Sequence, residues 1–399
     1  MSPSKQPYLS AAFRGRAAPF DFAMGAVFIL AAWMLGQAFI GGAAFEAAAG
    51  LGLEDLEADM NREITAGMEA QAGRLALGFL AGLVGVIAAP VGYLIYRTAS
   101  VLAGRIVGWM GLALLLGAVV LLLPSFAAGS GPAAQAYQGA VLGGSAVAYG
   151  LTLFSFAGVF VGAWLVQHFV HARTLRSLLT AARAVRWSRL VWAALLTLGI
   201  YGGGSWVLSL LGIGEFRVNP ERSRMLPFLL MTLLFIPIQA SAEEVMFRGY
   251  FNQALARVIP STLVVFAVTS LAFGALHLAN PEIAAAKDDG TFWIAFAGYA
   301  LFGFALSLTV WFDNGLEAAC GVHIANNVFA ATFINYENSV LPITGLWLTE
   351  SAGAAEDAMM ALVFIGAVTA VLWWTRKPIA EFGEPELHPA PTDPRETFA

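Results

Sequence analysis

The chain has 399 residues, of which 59% are hydrophobic and 12% are charged, and its mean hydropathy of +0.73 excludes a soluble globular protein. The formal net charge of −5, with Lys and Arg scattered along the chain, gives no support to nucleic-acid binding. The single cysteine, Cys320, excludes an intramolecular disulfide and a thiolate metal cluster.

The apolar residues fall into blocks of about 20, the length that a helix needs to cross a hydrocarbon core of ~30 Å. We therefore predict an all-α, polytopic bundle of about ten transmembrane helices, with eight to ten as the range. The predicted spans lie near residues 22–44, 75–96, 105–125, 141–168, 190–212, 226–247, 262–280, 292–312, 315–335 and 357–375.

The distribution of basic residues predicts the orientation of this bundle. If the N-terminus is inside, most of the 21 Lys and Arg residues fall in inner segments, as the positive-inside rule requires. Both termini are therefore predicted to be cytoplasmic. Residues 1–21 form the N-terminal tail, and residues 376–399, rich in proline and charge, form a mobile C-terminal tail.

Charge and hydropathy divide the rest of the chain into three regions. Residues 22–212 hold the N-terminal helices, with an acidic outer loop at 45–74 and a basic inner loop at 171–189. In the basic loop, arginines alternate with apolar residues, which indicates an amphipathic helix at the membrane surface; a simple topology determinant is the plainer alternative. A polar core at 213–335 follows, and then an outer loop and the last span at 336–375.

Ionisable side chains inside the predicted spans cluster in the polar core. Each costs about 2.5–3.5 kcal/mol on insertion scales, so by default such residues indicate a functional site that faces the bundle interior. The segments that carry them are SAEEVMFRGY, FGALHLAN and LEAACGVHIANN, which contain Glu243, Glu244, Arg248, His277, Glu317, His323, Asn326 and Asn327.

Helical spacing sorts these side chains into pairs. Glu244 and Arg248 are four residues apart and can pair on one face. Glu243 projects about 100° away from Glu244 around the helix, so it needs a partner from another helix. His277 and His323 are the natural candidates, because they are the remaining imidazoles in the polar core.

The same side chains are suited to activating water. A carboxylate in apolar surroundings, here Glu243, can act as a general base, and His277 can hold the same water. His323 and Asn327, four residues apart, can stabilise a developing oxyanion. Two histidines and a glutamate also describe a catalytic zinc site, so Glu243, His277 and His323 are alternative zinc ligands. A buried polar network that only fixes helix packing is the third interpretation.

Three short motifs resemble those of the CPBP family of intramembrane proteases, also called the CAAX-protease-like or Abi family. Residues 243–248 are similar to the EExxxR motif, residues 273–277 to the FxxxH motif and residues 323–327 to the HxxxN motif. They occur in the family's order, and each lies in an apolar segment. The resemblance covers only the C-terminal core.

The resemblance implies a peptidase that hydrolyses a peptide bond of a membrane-associated peptide or protein in a bacterial cytoplasmic membrane. In the family's roles, Glu243 would activate the water and His277 would help hold it. His323 and Asn327 would form the oxyanion side. Glu244 and Arg248 would brace the first motif. The metal-independent, glutamic mechanism is favoured, with no cofactor, and zinc is the alternative.

Two further expectations accompany this hypothesis. The competing function is a non-proteolytic membrane protein, serving in bacteriocin immunity, as a scaffold or in transport, whose polar network binds a ligand or a proton. In the predicted topology, Glu243 and His277 lie at different depths in straight helices, so their convergence needs a short, tilted or broken helix. Asn280 and Pro281 would end that helix early.

Overall fold

The computed structural model describes residues 7–13, 15–128, 131–213, 216–336, 339–349 and 354–376. Across these residues the chain is a bundle of long apolar helices, which confirms the prediction of an all-α, multi-pass integral membrane protein. The predicted C-terminal tail, 376–399, lies outside the described residues except for its first position.

From Pro19 onward, the described residues of the N-terminal half form seven helices. They are α1 (Pro19–Glu46), α2 (Glu54–Glu69), α3 (Ala72–Thr98), α4 (Val101–Ala128), α5 (Pro132–Gly144), α6 (Ala146–Val170) and α7 (Arg176–Leu179). The acidic loop thus contains one exposed helix, α2. The hairpin of α3 and α4 is held close by glycine, because a Cβ atom on Gly92 would overlap the backbone of Gly108.

The part of the C-terminal half that the structure describes contains seven helices and a small sheet. The helices are α8 (Trp187–Leu210), α9 (Pro220–Ala256), α10 (Thr262–Leu276), α11 (Pro281–Asp288), α12 (Phe292–Asp313), α13 (Glu317–Thr332) and α14 (Ala354–Trp374). The strands are β1 (Phe216–Val218), β2 (Ile334–Asn335) and β3 (Trp347–Thr349). β3 lies in the middle, antiparallel to β1 and parallel to β2.

The number of spans falls at, or one below, the low end of the predicted range of eight to ten. Within the described residues, seven helices are long and apolar enough to cross a membrane, or eight if α10 and α11 form one broken span. The predicted spans near 315–335 and 357–375 correspond to α13, which has only 16 residues, and to α14. The orientation of the termini stays a prediction.

The predicted break after the FxxxH motif is confirmed. α10 ends at Leu276, α11 begins at Pro281, and their axes differ by 89°. Asn280 precedes α11 in an extended conformation, and proline suits the first turn because its missing N–H has no acceptor there. His277 therefore lies at a sharp corner rather than inside a straight helix.

The described residues before α1, 7–13 and 15–18, pack against the bundle, and Tyr8, Leu9, Ala11 and Ala12 are buried. They form a short 3-10 helix, Leu9–Phe13, and two arginines from distant segments bind its backbone and the segment that follows. Arg173 donates from Nη1 to the carbonyl oxygen of Ala11 at 2.6 Å, and Arg257 donates from Nε to that of Ala17 at 2.7 Å. The described part of the predicted N-terminal tail is thus packed in the fold.

His171 adds a third polar contact to this segment. Its Nδ1 donates to the carbonyl oxygen of Arg16 at 2.8 Å, and its Nε2 lies 2.9 Å from the hydroxyl oxygen of Tyr250. Burial, together with the positive charge of Arg173, holds the pKa of His171 well below its usual value. The ring is therefore neutral at physiological pH and serves as a fixed hydrogen-bonding group.

The prediction of an amphipathic helix across 171–189 is wrong. Within this range only Arg176–Leu179 (α7) and the first three residues of α8 are helical, and two of the arginines bind acidic side chains at the junction of α12 and α13. Arg186 lies 2.6 Å from Glu317 Oε2 and 3.1 Å from Asp313 Oδ2, and Arg189 donates to Asp313 Oδ1 at 2.9 Å. Buried carboxylates need counter-charges, so these arginines fold back onto the bundle.

This ion-pair cluster should contribute strongly to stability. In an Arg186→Ala variant the carboxylate of Glu317 would lose its main partner, and breaking a buried pair in this way typically costs about 3–5 kcal/mol. Denaturant unfolding of the detergent-solubilised protein, followed by tryptophan fluorescence, measures the loss. The control is Arg62→Ala, which removes an exposed pair with Asp59 and should cost less than about 1 kcal/mol. Equal losses in both variants would contradict a stabilising role for the cluster.

Candidate active site

The site begins where α9 changes its helical winding. An α-helical stretch, Met225–Glu244, is followed directly by a π-helical stretch, Val245–Phe251. Glu243 and Glu244 are the last two residues of the first stretch, and Arg248 lies in the second. Short π-helical segments occur frequently at functional sites, because the wider turn redirects side chains out of the regular helical pattern.

Glu244 is the most heavily used acceptor in the site. Its side chain is fully buried, and its Oε1 accepts hydrogen bonds from Arg248 Nη1 at 2.9 Å and from His323 Nδ1 at 2.8 Å. The pairing of Glu244 with Arg248 is as predicted. The guanidinium of Arg248 also lies over the ring of Phe273, with Cζ 4.2 Å from the ring centroid.

His323 was expected to partner Glu243, and its hydrogen bond goes to Glu244 instead. Arg248 uses only part of the hydrogen-bond acceptor capacity of Glu244, and a buried carboxylate needs more than one donor. The carboxylate of Glu244 is the acceptor of this hydrogen bond, so Nδ1 of His323 carries the proton. The other ring nitrogen, Nε2, lies 3.7 Å from Oε2 of Glu243, which is close but longer than a hydrogen bond.

Glu243 is held through its other oxygen by a chain of amides. Its Oε1 accepts from Gln239 Nε2 at 2.6 Å, and Gln239 Oε1 accepts from Asn327 Nδ2 at 3.1 Å. Asn327 in turn accepts at Oδ1 from Asn326 Nδ2 at 3.0 Å. The motifs did not reveal Gln239; the available signal was an amide in an apolar span, one helical turn before Glu243.

His277 reaches the site from the corner after α10. Its Nδ1 donates to the carbonyl oxygen of Phe273 at 2.9 Å, and its ring centroid lies 4.7 Å from that of Phe273. The ring of Phe273 is also 5.9 Å from that of His323, and Glu243 lies within electrostatic reach of His277. The three motifs therefore converge around one aromatic ring.

Three buried polar atoms at the centre of the site have no hydrogen-bond partner among the described residues: Glu243 Oε2, Glu244 Oε2 and Arg248 Nη2. Buried polar groups in folded proteins are nearly always satisfied. Several such atoms within one cluster are typical of a site that takes its remaining partners from water or from a substrate.

The three side chains named as alternative zinc ligands do not form a metal-binding group in the structure. Among the residues that the structure describes, no three His, Cys, Asp or Glu side chains are placed to hold a metal. Glu243, His277 and His323, the alternative zinc ligands, are therefore not grouped as a ready ligand set. His323 directs Nδ1 to Glu244, and the cation beside Glu244 is the guanidinium of Arg248.

The hydrogen bonds of Glu244 predict a specific stability pattern. Glu244→Leu should destabilise the protein by about 3–5 kcal/mol, because it leaves the charge of Arg248 buried without a partner. The double variant Glu244→Leu/Arg248→Met should recover much of that loss, since it removes both charges. Thermal unfolding of the two variants in the same detergent tests the pattern. A double variant as unstable as the single variant would show that Arg248 is not paired with Glu244.

A comparison with known protein families matches the part of the chain that contains these residues. Residues 223–329 match the family model of type II CAAX prenyl endopeptidase Rce1-like proteins, which confirms the resemblance drawn from the three motifs. The uncharacterized protein YyaK of Bacillus subtilis (strain 168) is 29% identical over 231 residues, 54% of this chain and 72% of that protein. No solved structure matches the chain.

Proposed function

Starting from the match of residues 223–329 to Rce1-like endopeptidases, we propose that this protein is a CPBP-type intramembrane endopeptidase. Its substrate would be a membrane-associated peptide or protein, and its compartment a bacterial cytoplasmic membrane. One observation carries the proposal: Glu243 has one oxygen fixed by Gln239, while its other oxygen is buried, unpartnered within the described residues and 3.7 Å from Nε2 of His323.

In the proposed reaction, Glu243 is the general base. Its Oε2 takes a proton from a water molecule as the water oxygen attacks the carbonyl carbon of the scissile peptide bond, whose π electrons move onto the carbonyl oxygen. When the tetrahedral intermediate collapses, the C–N bond breaks. The proton held by Glu243 then passes to the leaving nitrogen, which returns the carboxylate to its starting state.

The two imidazoles have complementary roles in this scheme. Neutral His277 donates its Nδ1 proton to the carbonyl oxygen of Phe273. Its Nε2 is therefore an acceptor that can hold the attacking water. When Nε2 of His323 carries a proton, His323 and Asn327 together stabilise the oxyanion. Glu244 supports that charged form, because a carboxylate bonded to Nδ1 both orients the ring and stabilises its positive charge.

Burial makes these interactions stronger than they would be in water. Glu243 is 8% exposed and His323 is 3% exposed, inside a helical bundle surrounded by lipid. Preorganised donors in such a low-dielectric site stabilise developing charge without the cost of reorganising solvent. Because the site lies within the bundle, the peptide bond to be cut must be brought to the membrane, which supports a membrane-associated substrate.

Glu243→Gln should reduce peptide hydrolysis by at least ~10²-fold while leaving the fold intact, because the amide has a similar shape and cannot accept the proton. The assay is cleavage of a quenched-fluorescent library of membrane-associated peptides by the protein in liposomes. The matched control is Glu221→Gln, which alters an exposed carboxylate at the start of α9 and should leave the rate unchanged.

Two results would contradict the proposal at different levels. Undiminished cleavage by the Glu243→Gln variant would remove this residue from the mechanism. Absence of cleavage by the unmodified protein, across a broad library and with the fold verified, would overturn the peptidase function in favour of a protein that binds a ligand or a proton in the same network.

Chelation separates the glutamic mechanism from the zinc alternative. We expect dialysis against 1,10-phenanthroline to leave the cleavage rate unchanged, because Glu243, His277 and His323 are not grouped as a metal-ligand set. Metal content measured before and after dialysis provides the control. A loss of activity that added Zn²⁺ restores would establish the metal mechanism instead.

A further inference from the structure

His277 lies at a position where the helix itself does little to fix a side chain. It follows the last residue of α10, with φ −92° and ψ 0°, and the chain then turns through the 89° corner into α11. Its Nδ1 bond to Phe273 holds one edge of the imidazole. A ring at such a corner needs contacts from other elements if its second nitrogen is to keep one direction.

Tyr299, on α12, supplies the closest ring contact to His277. The two rings are stacked with centroids 4.3 Å apart and an angle of 23° between their planes. Phe273 contacts the same imidazole at 4.7 Å and 49°. The imidazole is therefore held between an aromatic ring from its own helix and one from a neighbouring helix.

The tyrosine is fixed in turn by residues just beyond the corner. Its hydroxyl donates to Glu282 Oε1, and Asn280 Nδ2 lies 3.1 Å from the same carboxylate oxygen and 3.2 Å from the tyrosine hydroxyl. Glu282 lies in the first turn of α11, where a carboxylate is favoured by the helix dipole. The corner thus presents two polar side chains to Tyr299, which stacks on His277.

We propose that Tyr299, Glu282 and Asn280 form a positioning brace for His277, which sets the direction of its Nε2 in the reaction. This inference rests on the proposed endopeptidase function. The brace residues lie outside the three motifs and act through His277 rather than on the substrate. In this scheme the 89° corner is functional, because it carries Asn280 and Glu282 to the hydroxyl of Tyr299.

The kinetic test compares two variants of Tyr299 in liposomes. Tyr299→Leu removes the stacked ring and should lower kcat by about 10²-fold with little change in KM, the size of effect expected when a catalytic group is misplaced by about 1 Å. Tyr299→Phe keeps the ring and loses the hydroxyl anchor, so its kcat should fall between those of the unmodified protein and Tyr299→Leu. The matched control is Tyr137→Leu, which removes a tyrosine stacked on Phe45 and should leave kcat unchanged.

A double-mutant cycle separates positioning from general stabilisation. In a His277→Ala background, Tyr299→Leu should cause no further loss of kcat, because residues that act through one group are not additive. A further loss equal to that of Tyr299→Leu alone would overturn the brace and leave Tyr299 with a purely structural role.

A measurement without substrate keeps the brace testable apart from the proposed function. The chain has only five histidines, so the ¹³Cε1 resonance of His277 can be assigned by its disappearance in a His277→Gln variant. Loss of the stacked ring in Tyr299→Leu should shift this resonance and leave that of His168 in place. An unshifted His277 resonance overturns the brace, whereas a shifted resonance in a protein that cleaves no peptide overturns the endopeptidase function alone.

Discussion

A single oxygen atom, Oε1 of Glu244, joins the helices on which the site depends. A fully buried carboxylate is strongly unfavourable unless charge and hydrogen bonds compensate it, and here the compensation comes from two directions. Arg248 approaches from the next turn of α9, and His323 approaches from α13. Because the guanidinium also covers Phe273, α10 is brought to the same point. The cost of burying one charge thus fixes the relative positions of three helices within the membrane.

Two consecutive glutamates have different roles because their surroundings differ. Glu244 binds a cation and an imidazole, so its position is tied to the packing of the bundle. Glu243 has only the neutral amide of Gln239 as a hydrogen-bond partner within the described residues. Pairs of titratable groups whose environments differ in this way are the usual basis for separating a reacting acid or base from a supporting one. Both glutamates lie at the end of the α-helical stretch, where adjacent side chains point about 100° apart around the helix, so they face different partners.

The bundle, the pairing of Glu244 with Arg248 and the broken helix could be predicted from the sequence, because each follows from local spacing or from a proline. The residues that the sequence did not reveal, Gln239 and Tyr299, are uncharged and look ordinary in an apolar helix. Their importance arises only from partners on other helices, which periodicity does not encode. The same limit explains the wrong amphipathic helix at 171–189, where the pattern showed arginines but not the buried acids that bind them.

The burial of the segment before α1 sets an order of events during synthesis. The carbonyl oxygen of Ala17 receives its hydrogen bond from Arg257, 240 residues later, and that of Ala11 receives one from Arg173, 162 residues later. The ribosome therefore makes this segment long before its partners exist. Although it is the first part of the described chain to be translated, its contact with Arg257 can form only after α9 has been made.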